Sequence, residues 1–418
     1  MIALRYCPGW PIPAVLATML LALPRQGAAL TLEEALQLAE RNAPSLTAQA
    51  AKLEAARNAA IPAGELPDPR LALGVQNLPI EGDGRWSLDR DFMTMQMVGV
   101  MQEVPNRDKR RARVEAAEAA VDRAAAESRI EYLNVRQATA QAWIGSHAIE
   151  RKQALFREFF RENRLLAEAV RAQIAGGRAR AADAVTPQQE AALLAEQEDE
   201  LVRSRAQARA ALRRWIGPAA DEPLAGTLPE WPIEASEYTR RLRHHPELAV
   251  LVPMTREAEA RVREAQAEKK SDWSWELDYQ RRGPEFGDMM SVQVSVDLPL
   301  FPGSRQNPNI AARQAELSQV EAEREALIRE HAERLEGELA EYERLSRAVR
   351  RSRDSLLPLA REKVELSLAS YRAGIGDLAA VVAARRELVA ARLRHIDFEE
   401  QRALSGARLH FTYGETRQ

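Results

Sequence analysis

The amino-acid sequence reads as a mostly α-helical protein that carries two β-hairpins and builds one plan twice. Ala, Glu, Arg and Leu dominate its 418 residues, of which 29% are charged and only 5% aromatic, a balance that suits long helices and coiled coils. Strand-like stretches with period-two alternation interrupt the helical pattern in two places. The order of helices, hairpin, long helix, Gly turn and return helix occurs twice, and such internal repetition shapes the whole architecture.

Composition excludes several classes of function. With 59 Lys+Arg against 62 Asp+Glu the net charge is −3, without the basic surplus of a nucleic-acid binder. Cys7 is the only cysteine, so neither a disulfide framework nor a Cys-based zinc site can form. The six His are scattered without HExxH spacing. No catalytic constellation stands out, and we expect neither an enzyme nor a cofactor.

Residues 1–29 read as a secretory signal peptide. Arg5 precedes an apolar run from about Pro11 to Leu23, and Gly27-Ala28-Ala29 supplies small residues for cleavage. The run is too short to span a bilayer as a helix; a membrane anchor is the alternative. Cys7 lies before the run, the wrong side for lipid attachment. No other stretch is apolar enough for a transmembrane helix, so a membrane span must be built from strands.

The first copy, 30–217, opens with Thr31-Leu32-Glu33-Glu34-Ala35-Leu36. Thr31 suits an N-cap, and Glu33 and Glu34 suit the first turn. Pro44 separates this helix from a second one, which ends before Pro67-Asp68-Pro69. A hairpin follows at about 70–104, with strands near Leu71–Leu78 and Phe92–Val104 around Glu81-Gly82-Asp83-Gly84. A helix of ~70 residues, about 105 Å long, then runs over 106–175 to Gly176-Gly177. The return helix closes at Trp215-Ile216-Gly217, with Thr186-Pro187 marking an interruption.

Residues 218–233, rich in Pro, Gly and acid, read as a linker. The second copy, 234–414, repeats the plan, with His245-Pro246-Glu247-Leu248 in the place of Ala43-Pro44-Ser45-Leu46. Its hairpin covers about 272–300 and its long helix about 304–373, ending at Tyr371-Arg372-Ala373-Gly374-Ile375-Gly376. Pro358 should bend that helix. A return helix ends at Phe411-Thr412-Tyr413-Gly414, before a tail at 415–418.

The second hairpin has the clearer strands. Trp273, Trp275, Leu277 and Tyr279 alternate with Ser274, Glu276, Asp278 and Gln280, and Met290, Val292, Val294, Val296 and Leu298 with Ser291, Gln293, Ser295 and Asp297. Alternation of this length with aromatics on the apolar side suits an outer-membrane barrel strand, although a soluble sandwich alternates in the same way. In the first hairpin Leu71, Leu73 and Val75 share a face, and Met93, Met95, Met97 and Met101 share another. Four strands cannot close a membrane barrel, and open edges are not tolerated in lipid. A membrane barrel must therefore be shared, with eight strands in a dimer or twelve in a trimer. In the first long helix Val114, Val121, Val135 and Ile149 fit one heptad register, and Ala117, Ala124 and Ala138 fall three positions later.

Together these residues resemble the TolC family of outer-membrane efflux proteins. The likeness spans nearly the whole mature chain and rests on Thr31–Leu36 with Asn42 and Pro44, the paired hairpins, Tyr371-Arg372-Ala373-Gly374 and the helix Ala384–Tyr413. Gln76-Asn77-Leu78-Pro79 and Met93–Pro105 look like the heavy-metal (Czc/Cus-type) branch. The resemblance implies a homotrimer in the outer membrane of a Gram-negative bacterium, with a twelve-stranded β-barrel in lipid and long coiled-coil helices forming an α-barrel through the periplasm. It implies a periplasmic adaptor (a membrane fusion protein) and an inner-membrane pump of the resistance-nodulation-division (RND) class exporting heavy-metal cations. The alternatives are a duct for drugs or secreted polypeptides and a soluble periplasmic coiled-coil scaffold.

Three groups of residues follow from this reading. Glu276, Asp278 and Asp297 are acidic candidates for the lumen wall. The methionine face admits a soft-metal reading through its thioethers, but lipid-facing side chains are the simpler expectation. His244-His245 is an incidental helix-end pair on the same economy, and no metal site is assigned. Gly176, Gly177, Arg178, Arg372, Gly374 and Gly376, with Arg180 nearby, form the expected periplasmic tip and adaptor contact. The family's entrance aspartates would fall at Ala380 and Ala383, so Asp183 and Asp377 are the substitute gate candidates, and Asp377 also suits an N-cap.

Overall fold

The computed structural model describes residues 29–414. Nearly all of the expected signal segment, with Cys7, and the tail 415–418 lie outside the described residues. Helix α1 (Leu32–Asn42) starts with a reciprocal cap: Glu34 N–H donates to Thr31 Oγ1 at 3.3 Å, and Thr31 N–H donates to Glu34 Oε2 at 2.9 Å. Pro44 opens α2 (Pro44–Ala60) as its first residue, where its missing N–H costs nothing. A single 3-10 turn through Pro62 ends this helix at Gly64, short of the expected Leu66.

The long helix α3 (Arg107–Ala175) has 69 residues without a break, a span of roughly 104 Å. Helix α4 (Thr186–Ile216) begins only after a 3-10 turn at Ala181–Ala184. Thr186 is its first residue and makes no cap bond, so Thr186-Pro187 starts the return helix instead of interrupting it. Helices α5 (Ala235–Arg241) and α6 (Pro246–Ala267) lead to the second hairpin. The second long segment divides into α7 (Gln306–Arg351) and α8 (Leu357–Arg372), and α9 (Leu378–Leu409) returns. A π turn at Ser352–Leu356 joins α7 to α8 just before Pro358. It absorbs the carbonyl that the proline ring would otherwise strike, so the chain passes through.

The two hairpins make one antiparallel sheet in the order β1 (Arg70–Gln76), β2 (Met95–Val104), β3 (Trp273–Arg281), β4 (Met289–Val296). Its outer strands β1 and β4 have no further partner among the described residues. Gly283 allows the two hairpin loops to meet, since a Cβ there would stand 2.1 Å from the Asp89 carbonyl oxygen.

The largest core lies far from the sheet. Ala35, Leu36 and Ala39 of α1 pack with Val135, Trp143 and Ile144 of α3, Leu212 and Ile216 of α4, and Ala403 and Ala407 of α9. Trp143 Nε1 donates to the Leu30 carbonyl at 3.1 Å, which satisfies a polar group that burial would otherwise strand. The Pro218–Pro232 segment is no loose tether: Leu30 pairs with Leu224, and Leu224, Leu228 and Trp231 pack on this core. Of the heptad positions in α3, Ala124 and Val135 are buried, while Val114, Val121, Ile149, Ala117 and Ala138 are half-buried. No described helix is long and apolar enough to cross a membrane.

Candidate functional site

Directly opposed residues in an antiparallel sheet project to the same side. The pairing Leu73↔Val98↔Tyr279↔Met290 and its neighbour Leu71↔Val100↔Leu277↔Val292 therefore define one apolar face. That face is the open one: Leu73 and Val292 are each 71% exposed. The opposite face carries Glu276, Asp278 and Gln280, and there Asp278 is only 9% exposed. A sheet in a water-soluble protein buries its apolar side; this sheet does the reverse.

The pairing also corrects one expectation. Met97 stands opposite Gln280, and Met101 opposite Glu276. Met95, Met97 and Met101 thus share the carboxylate face and do not lie with Leu73, Val98 and Val292. Strand β2 is apolar on both sides, with Met on one and Val98, Val100 and Val104 on the other. Periodicity alone could not orient it; the register with β1 and β3 does. Met93 precedes the strand.

Glu103 falls on the same carboxylate face and pairs with Arg70 across β1 at 3.0 Å. Asp278 leans over Gly99, its direct partner on β2. Asp297 lies one residue beyond β4, exposed, where its N–H donates to the Asp272 carbonyl at 2.9 Å. It continues the Ser291, Gln293, Ser295 side of the strand. Glu276 and Asp278 therefore share a face of the sheet, and Asp297 stands at its rim.

The rim is tied to the helices by one constellation that the sequence did not advertise. Asn106 caps α3 by accepting from Lys109 N–H at 2.9 Å, and its Nδ2 donates to Asp272 Oδ1 at 2.8 Å. Lys109 Nζ reaches Asp272 Oδ2 at 2.8 Å. The start of β3 is thus held against the start of α3.

At the other end of the helices, two turns of the same kind close the structure. Gly177 has φ +72° and donates to the Ile174 carbonyl at 3.0 Å, while Arg178 N–H donates to the Gln173 carbonyl at 2.8 Å. Gly374 has φ +76° and donates to the Tyr371 carbonyl, and Ile375 N–H donates to the Ser370 carbonyl, both at 3.1 Å. Both are Schellman caps, which require a left-handed residue that glycine supplies without strain. Gly176 is the last cap residue of α3, and Gly376 packs tightly on Ser370. Arg178, Arg180 and Arg372 are exposed, and Ile375 is 84% exposed at the apex of its turn.

The structure gives both gate candidates local work. Asp377 caps α9, its Oδ1 accepting from Ala380 N–H at 2.7 Å. Asp183 accepts from Arg180 N–H at 2.9 Å within the turn that precedes α4. Ala380 and Ala383 are exposed on α9. Behind these turns Leu166 and Val170 of α3 pack on Leu378 and Val382 of α9, joined by Ile174 and Tyr371.

The chain matches the family model described as outer membrane efflux protein over residues 35–218 and again over 238–415. A membrane protein from Pseudomonas aeruginosa has a similar structure, with a TM-score of 0.80, 19% identity and coverage of 92% of this chain and 90% of that one. The outer membrane protein VceC from Vibrio cholerae superposes with a TM-score of 0.78 at 18% identity, covering 92% of this chain and 96% of its own. CusC, whose structure is described in terms of transmembrane channel formation, superposes with a TM-score of 0.78 at 15% identity and 92% coverage of both chains. No curated relative matches the chain. With two family matches that between them span most of its length, the chain belongs to the outer membrane efflux protein family.

Proposed function

We propose that three copies of the chain join their four-stranded sheets into one twelve-stranded barrel in the outer membrane of a Gram-negative bacterium. The observation that carries this reading is the inverted sheet, with its apolar face exposed, its carboxylates on the other face, and its edges β1 and β4 unpaired among the described residues. Exposed edges are untenable in lipid, and four strands fall short of the smallest membrane barrels. Edge-to-edge pairing of β4 with the β1 of another subunit removes both problems. The half-buried heptad positions of α3 are the surfaces along which neighbouring helices would pack into a periplasmic α-barrel.

In this assembly the chain is the exit duct of a tripartite pump, and energy comes from an inner-membrane pump of the RND class. The two Schellman turns, with Arg178, Arg180, Arg372 and Ile375, form the end that meets the periplasmic adaptor. Asp183 and Asp377, beside those turns, are our candidates for a charged ring at the entrance. The cargo we assign is heavy-metal cations. Carboxylates from Glu276 and Asp278, in three copies, would make the lumen attractive to cations, and the methionine thioethers on the same face suit soft ions without binding them tightly.

Two assays test the reading. Fractionation should place the chain in the outer membrane, and a strain lacking it should lose resistance to metal cations. Recovery as a soluble periplasmic protein would leave only the scaffold reading. Outer-membrane recovery with sensitivity to drugs alone would keep the duct and overturn its cargo.

A further inference from the structure

We propose that His245, Glu247 and His331 form a site for a divalent transition-metal ion inside a single subunit, at the junction of α6 and α7. One ligand atom from each of the three residues lies within 4.8 Å of the others. His245 is the N-cap of α6, Glu247 sits in that helix's first turn, and His331 projects from the middle of α7. The imidazole rings are in contact, with centroids 4.0 Å apart and planes tilted by 37°. His331 is 0% exposed and His245 4%.

The buried nitrogens are what demand explanation. His331 Nε2 lies 2.8 Å from Glu247 Oε2, yet neither ring nitrogen of His331 makes an aligned hydrogen bond among the described residues. Nε2 of His245 has no partner either, while its Nδ1 accepts from Glu247 N–H at 3.2 Å. Two fully desolvated imidazoles pressed together, with polar atoms unsatisfied, are a costly arrangement. A cation held by both rings and the carboxylate removes that cost.

The donor set selects the ion class. Two imidazoles and a carboxylate suit Zn2+, Co2+, Ni2+ or Cu2+; they suit neither the oxygen-loving Ca2+ and Mg2+ nor the thiophilic Cu(I). The Tyr413 ring closes the site, 5.1 Å from His245 and 6.4 Å from His331 between centroids, and its buried hydroxyl is also unpartnered. Arg334, one turn beyond His331, pairs with Glu330, and its positive charge also favours the ionised form of Glu247. Such an ion would clamp α6 to α7 beside the turn that carries Tyr413. It would be a resident ion, set apart from any cargo passing along the sheet, and the proposal does not depend on the barrel.

The test uses the full-length, tag-free chain in mild detergent, stripped with chelator and titrated with Co2+. The expected result is a visible d–d absorption that saturates at one Co2+ per chain and is abolished by Zn2+. His245→Gln and His331→Gln should each weaken binding more than about 100-fold, beyond the roughly 10–100-fold loss of a mere outer partner. His395→Gln should bind like the native chain. Glu247 is half-buried, so Glu247→Gln folds even where a histidine variant does not, and it too should lower the affinity. A folded native chain that gives no Co2+ absorption overturns the proposal, as do folded His245→Gln and His331→Gln variants with native affinity.

Discussion

The carboxylate of Asp278 occupies the space above Gly99. A Cβ built at Gly99 would stand 2.0 Å from Asp278 Oδ1, well inside contact distance. These residues are direct partners across β2 and β3, the strands that join the two hairpins into one sheet. Glycine here makes room for the neighbour's side chain and does not serve a backbone angle. Gly99→Ala should destabilise the assembled sheet by about 1–3 kcal/mol through overpacking. Gly99→Ala combined with Asp278→Ala should recover most of the loss, because the pair is coupled. Heat dissociation of the assembled protein measures both, and a double variant no better than Gly99→Ala would separate the two residues.

The chain's only cysteine is Cys7, in the expected signal segment, so introduced cysteines report cleanly. Met97→Cys and Glu276→Cys should react with small charged thiol reagents in native membranes. Val292→Cys and Leu73→Cys, on the opposite face, should be protected by lipid. Equal labelling of the two faces would contradict the orientation of the sheet.

Gly374→Ala should cost about 1–2 kcal/mol, the penalty for a side chain at φ +76°. Ile375→Asp, at the exposed apex of the same turn, should leave folding intact and reduce cross-linking to the adaptor. Native cross-linking by Ile375→Asp would remove this turn from the contact.

Asp377 separates a cap from a gate. Asp377→Asn keeps a side-chain acceptor for the Ala380 N–H, whereas Asp377→Ala loses it at about 1 kcal/mol. If its charge also closes the entrance, both variants should raise single-channel conductance in planar bilayers. Native conductance in both would leave Asp377 a cap alone.

Burial pushes His147, His395 and His410 below the usual imidazole range. Each ring stays neutral in the folded chain at a pH where the unfolded chain already binds a proton, so acidification favours unfolding. Their stabilising effect is complete above about pH 6.5 and is lost as the pH falls towards their folded values. The unfolding temperature should drop as the pH falls from about 6.5 to about 5.5, a window above the titration of ordinary carboxylates. His147→Asn with His410→Asn should flatten that slope. A native profile that is level, or rises, contradicts the assignment.

Much of this structure was legible as pattern. The Thr31–Glu34 cap, Pro44, the alternation of β3 and the Gly374 turn are local signals, and local physics placed them. The strand near Phe92–Val104 was legible, but its facing was not, because apolar residues occupy both faces of β2 and only its neighbours' register decides between them. The role of Gly99 was invisible for the same reason: it depends on Asp278, far away in sequence. His331 gave no signal, since a single histidine in a charged helix acquires meaning only when α7 meets the start of α6. The Pro218–Pro232 segment looked like a spacer because Leu224, Leu228 and Trp231 are too sparse to show periodicity, yet they pack on the main core.

The shared barrel is the central claim, and the mass of the detergent-solubilised particle, measured by light scattering before and after heating, tests it most directly. The account predicts three chains per particle before heating and one chain afterwards. A particle of one or two chains in mild detergent would contradict it.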